Sequence, residues 1–150
     1  MTRREMREHC FKMLFGVEFY PAEETAGQTA QYFNSPEEDD TNTEGKVEVV
    51  HQVEVKEDDR IFLIDRVEGI AAKIPDLDEK INQVAQGWKT NRMGKVELTI
   101  LRQALYEILY DSEVPEKVAI NEAVDLAKKY GGKDAPAFIN GVLAKLVNVE

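Results

Sequence analysis

Val96, Ile100, Leu101, Ala104, Leu105, Ile108 and Leu109 recur at intervals of three and four along one seventeen-residue stretch, 94–110. At about 3.6 residues per turn those intervals place all seven side chains on one side of an α-helix. Comparable stripes recur along the chain, punctuated by Pro and Gly. Met6, Cys10, Met13, Leu14 and Val17 predict a first helix, with Thr2 and Glu5 as a capping box and an end near Tyr20, before Pro21. A shorter helix is expected over 22–33. Asp59 caps a helix through Ile61, Phe62, Ile64, Val67, Ile70 and Ala71 that ends before Pro75, and Asp76 starts another that closes at Gly87-Trp88. Ile120, Ala123, Val124, Ala127 and Tyr130 predict a sixth helix with Gly131-Gly132 as its C-cap. The last starts near Asp134 and carries Phe138, Ile139, Val142, Leu143 and Leu146. The expectation is an all-α fold of about seven helices in two small subdomains sharing a core, one domain over 1–150. No repeat of solenoid length is present.

One segment departs from that pattern. Between Glu37 and Asp59 ten acids face only Lys46 and Lys56, so this stretch carries −8 of the chain's net −10. Val47 to Val55 alternates like a strand, but a lone strand has no partner in a helical chain. Residues 34–56 therefore read as an inserted acidic, mobile loop that pairs at most locally.

The remaining −2 leaves room for a local cationic surface. At 100° per residue Arg3, Arg7, Phe11, Arg4 and Phe15 follow one another on the arc beside the first helix's apolar stripe. Cations interleaved with aromatics suit phosphates and stacked bases. The alternative is a wide apolar face rimmed by Arg stems. Lys12 could widen the patch, and the pair Lys128-Lys129 reads more simply as a cationic helix C-terminus. Trp88, in the helix junction Trp88-Lys-Thr-Asn-Arg92, reads as a core residue.

Catalytic chemistry is not evident. Two dispersed histidines, His9 and His51, and the single Cys10 make neither a nucleophile–base set nor a zinc ligand spacing. No phosphate-cradling glycine loop occurs. The reading is no enzyme, no metal and no cofactor. The lone cysteine, with no secretory signal and no bilayer-length apolar run, fits a cytoplasmic protein with no membrane association.

Several stretches in order carry a resemblance. They are Arg3-Arg4-x-x-Arg7-Glu8, Trp88…Arg92, Ile100-Leu-Arg-Gln-Ala-Leu-Tyr-Glu107, Val114-Pro-Glu-Lys-Val-Ala-Ile-Asn-Glu-Ala-Val-Asp-Leu-Ala-Lys-Lys-Tyr-Gly131 and Phe138-Ile-Asn-Gly-Val-Leu143. Together they resemble the NusB family of bacterial transcription antitermination factors, over Thr2 to about Tyr32 and Ile61 to Val147. The resemblance implies an all-helical, non-enzymatic protein that binds single-stranded boxA RNA of ribosomal leader transcripts together with NusE, a small ribosomal-subunit protein. Through other Nus factors the complex acts on the elongating RNA polymerase, which then reads through terminators.

Carried over residue by residue, the resemblance implies RNA contacts from Arg3, Arg4, Arg7 and Phe15, with Asp134 and Phe138 at the edge of the last helix. Phe11 and Lys12 join them from the angular reading, and Glu97 is implied as a contact to the protein partner. The expectation from the helical wheel is that charge reversal at Arg4 and Arg7 reduces RNA binding and leaves stability almost unchanged.

Two departures stand out. Two successive arginines replace the three of many relatives, which implies modest RNA affinity without NusE. The acidic segment is also longer than the family pattern, and near the first helix it would repel RNA or occupy the arginines. Two other readings stay open: a helical protein-interaction scaffold without RNA binding, and the NusB-like domain of an RNA methyltransferase, although no cofactor-binding domain or catalytic Cys motif is seen here. Monomer and homodimer are both compatible with the sequence.

Overall fold

The computed structural model of the protein describes residues 1–17, 27, 32, 36–41, 47–52, 55–85 and 87–148, with the backbone alone for 36–41 and 47–52. In chain order the elements are α1 (Arg3–Val17), β1 (Pro36–Thr41), β2 (Val47–Gln52), α2 (Glu57–Val84), a 3-10 turn (Thr90–Arg92), α3 (Lys95–Tyr110), α4 (Glu116–Tyr130) and α5 (Ala135–Asn148). The fold class is all-α. Chain contacts divide it into two compact units, Met1–Glu68 and Gly69–Glu150.

In the first unit the capping box forms as the sequence predicts. The Glu5 amide donates to Thr2 Oγ1 at 3.1 Å, and the Thr2 amide donates back to Glu5 Oε1 at 3.4 Å. Two amides that the first turn would leave unpaired are thereby satisfied. The expected extension of α1 to Tyr20 lies outside the described residues, as does most of the expected 22–33 helix, of which Gly27 and Tyr32 are helical. The terminal ammonium of Met1 lies 3.6 Å from Asp59 Oδ2.

The acidic segment is not wholly a loop. β1, an acid run that strand propensity would never nominate, pairs antiparallel with the Val-rich β2, bringing Glu37 opposite His51 and Glu38 opposite Val49 with irregular register on either side of Glu38. The missing partner for the Val47 alternation is thus the acid run itself.

α2 corrects a second expectation. The break at Pro75 does not occur; one helix of 28 residues runs through it. An interior proline forfeits one backbone hydrogen bond and costs roughly 3 kcal/mol. Ile70, Leu77 and Ile81, all at 0% exposure, bracket it and outweigh that cost, while Pro75 itself faces solvent.

In the second unit α3 packs against α4 and α5, and α4 packs against α5. Every residue from Leu98 to Leu105 is buried, so α3 is enclosed on all sides there. Enclosure extends to Arg102, whose Nε and Nη2 donate to Asp78 Oδ1 and Oδ2 of α2 at 2.8 and 2.7 Å. Burial pushes the Asp78 carboxyl up to about 6 and the Arg102 guanidinium down to about 10. Each charge alone is therefore expensive at this position, and each is the other's compensation.

Small residues set the remaining spacing. Ala119, Ala123 and Ala127 are the buried face of α4 together with Leu126. Gly131 caps that helix at its C-terminus, as the sequence predicts, in an extended conformation with φ −92° and ψ 175°; its amide donates to the Ala127 carbonyl. Glycine is needed there for room, because a Cβ would sit 2.5 Å from the Cβ of Ala135 and 2.8 Å from the Ala127 oxygen.

Asp78→Asn is expected to destabilise the protein by about 2–3 kcal/mol in urea unfolding, since it strands a buried guanidinium; the value is at the low end because Asp78 keeps some solvent exposure. The double variant Asp78→Leu/Arg102→Met is expected to recover most of that loss.

Candidate functional site

The first-helix surface divides differently from its helical-wheel reading. Arg3 and Arg4 are exposed and Phe15 is half-buried. Arg7, at 8% exposure, and Phe11, at 4%, belong to the buried arc together with Cys10, Met13, Leu14 and Val17. On the wheel that arc covers about 160°, wider by one side chain per turn than the apolar residues alone define. The physical reason is that Phe11 is large and apolar enough to extend the core, and the adjoining Arg7 is enclosed with it. Expecting an exposed Arg7 and Phe11 is therefore incorrect.

Phe15 stays near the buried ring of Phe11, with centroids 6.1 Å apart and planes inclined by 32°. Lys12 is partly exposed and lies 3.9 Å from Glu8, one turn earlier. The cationic edge that α1 offers to solvent is therefore Arg3 and Arg4, with Lys12 beside a carboxylate. His9 is engaged locally, its Nδ1 against the Tyr32 hydroxyl with the rings edge to face.

In the second unit three expected residues converge. Glu97, Asp134 and Phe138 line one cavity of about 430 Å³ together with Trp88, Arg92, Met93, Gly94 and Ala135. Asp134 is exposed, and its main-chain carbonyl accepts from the Phe138 amide as α5 begins. Glu97, in the first turn of α3, folds back over Gly94 so closely that a Cβ there would collide with Oε2. Its charge thus lies at the positive end of the helix.

Trp88 reverses its sequence reading: it is 59% exposed, the most exposed of the large apolar side chains described. The available signal was local. Trp88 follows the turn residue Gly87 and precedes Lys89-Thr90-Asn91-Arg92, so no apolar residue lies at helical spacing on its C-terminal side. Among the described residues no group of His, Cys, Asp or Glu could hold a metal, and no helix is long and apolar enough to cross a membrane.

Burial separates the arginines in a testable way. Arg3→Glu and Arg4→Glu are expected to shift unfolding free energy by no more than about 0.5 kcal/mol. Arg7→Glu should cost about 2 kcal/mol or more, because it places a carboxylate in an enclosed position. Urea midpoints of the three variants check this.

Comparison with known proteins agrees with this architecture. The family model described as "NusB family" matches residues 4–148. The transcription antitermination protein NusB of Lachnoclostridium phytofermentans is 43% identical over 148 residues, covering 99% of this chain and 100% of that protein. That of Agathobacter rectalis is also 43% identical, over 97% of this chain and 98% of that protein. Among solved structures, T. maritima NusB superposes with a TM-score of 0.78 at 26% identity, over 100% of this chain and 93% of that one. With its family model, its relatives and its helical architecture in agreement over nearly the whole length, this chain belongs to the NusB family.

Proposed function

We propose that this protein is a transcription antitermination factor that binds single-stranded boxA-type RNA of ribosomal leader transcripts together with NusE. The observation that carries the reading is the exposure of Arg3 and Arg4 on the first turn of a helix whose start is fixed by a capping box, in an otherwise acidic chain. A fixed helix end holds two guanidinium groups where phosphates can reach them, at little entropic cost on binding. Phe15 offers a partly exposed ring on the same helix.

Asp134 and Phe138 supply further RNA contacts, and Glu97 meets the protein partner. The assembled complex acts on elongating RNA polymerase through other Nus factors. Support comes from the relatives, antitermination proteins matched over nearly their whole length. Arg7 and Phe11 serve this surface from beneath, as the buried support of the edge that carries Arg4 and Phe15.

The test is a titration of fluorescently labelled boxA-type RNA with the full chain, alone and with NusE, at two salt concentrations. Tighter binding with NusE is expected, and so is a log–log salt slope that falls by about 1.4 when Arg3 and Arg4 are both reversed to Glu, about 0.7 per lost phosphate contact on a single strand. Absence of binding under all conditions would leave a helical scaffold as the better account.

A further inference from the structure

Trp88 is the sole tryptophan of the chain, and its indole projects from a connection that is held in place rather than loose. Gly87 turns the backbone with φ +80°, a conformation that L side chains rarely adopt. On the other side of Trp88, Asn82 of α2 fastens the chain: the Thr90 amide donates to Asn82 Oδ1 at 2.8 Å, and Asn82 Nδ2 donates to Thr90 Oγ1 at 3.3 Å. Lys89 Nζ donates to the Asn82 carbonyl at 2.6 Å, and the Arg92 amide to the Lys89 carbonyl at 2.8 Å. A large aromatic kept in water by so many local bonds forgoes burial, and it does so in a fixed position beside an aromatic-walled cavity.

The chemistry around the cavity discriminates between occupants. Trp88 and Phe138 supply flat faces, Arg92 one cation and Asp134 one carboxylate, while the Glu97 charge is turned toward the start of α3. A cationic side chain from a protein would meet Arg92. A nucleobase is a neutral flat ring whose amino hydrogens suit a carboxylate acceptor, and the phosphate beside it suits a guanidinium.

We infer that Trp88 is an RNA-reading residue, stacking on one unpaired base at the cavity while Arg92 takes the flanking phosphate, and that Asn82 is the positioning residue that presents both. The inference rests on the RNA-binding reading above and adds to it a site at the junction between α2 and α3. Preorganisation is the source of the gain: the turn is ordered before RNA arrives.

The test reads two signals from one sample, the anisotropy of labelled boxA-type RNA and the emission of Trp88. Saturable quenching of Trp88 with the same midpoint as the RNA signal is expected. Trp88→Ala should weaken binding by about ten- to a hundredfold, the range of one lost base stack, with an unchanged urea midpoint, and Trp88→Phe should retain most of the affinity. Asn82→Leu should weaken RNA binding and increase the local mobility of Trp88 in time-resolved anisotropy, and Asn82→Asp, which keeps the acceptor for the Thr90 amide, should restore both. RNA binding with unaltered Trp88 emission and a wild-type affinity for Trp88→Ala overturns the inference and leaves the proposed function standing. Quenching by NusE but not by RNA also overturns it, assigning the indole to a protein partner. No RNA binding by either signal removes both.

Discussion

Enclosure of α3 is the constraint on which the second unit depends. Eight consecutive buried residues leave no face of that helix for solvent between Leu98 and Leu105, so neighbouring elements must cover it on every side. Thr99 meets this condition locally, its hydroxyl donating to the Lys95 carbonyl at 2.7 Å. Arg102 reaches outside its own helix, and Asp78 supplies a bidentate partner from α2. A forked pair of this kind fixes rotation and register between two helices more strictly than apolar contact does, because a shift of one residue leaves a buried guanidinium and a half-buried carboxylate unpaired. The same helix pair carries the connection that presents Trp88, so the geometry of the candidate site is inherited from the packing beneath it.

Much of this architecture was legible in the sequence because helices announce themselves through spacing. The capping box at Thr2 and Glu5, the stripe of α3 and the helix end at Gly131 all reflect local rules that act within a few residues. Where the reading failed, tertiary burial overrode local preference. Pro75 sits inside α2 because fully buried side chains on both sides outweigh one lost hydrogen bond. The acid run forms β1 because a Val-rich partner lies close in sequence, although its own composition argues against a strand.

The candidate site was legible in outline and misread at its edges, for one reason. A helical wheel orders side chains by angle but cannot give the width of the arc that neighbouring elements cover. Arg3 and Arg4 fall outside that arc, whereas Arg7 and Phe11 fall inside it. Trp88 failed in the opposite sense: its residue type suggested core, and only the polar run after it pointed outward. Glu97, Asp134 and Phe138 lie far apart in sequence and meet at one cavity, a convergence that no spacing rule could give and that the family resemblance, which gave Glu97 to the protein partner and the other two to RNA, did not imply.

Charge is distributed so that an acidic protein still exposes cations, with −8 of the net −10 confined to 37–59 and the exposed arginines at the chain's start. Fields of this kind act over about a Debye length, near 10 Å at ordinary salt, so local sign matters more than the total. The most direct measurement is photo-cross-linking of thiouridine-substituted boxA-type RNA to the full chain, with the adducts mapped by mass spectrometry. Adducts within residues 3–15 of α1 and at the cavity formed by Trp88, Arg92 and Phe138 are the result this account predicts. Efficient cross-linking that avoids both, for example on the α4 surface alone, would contradict it.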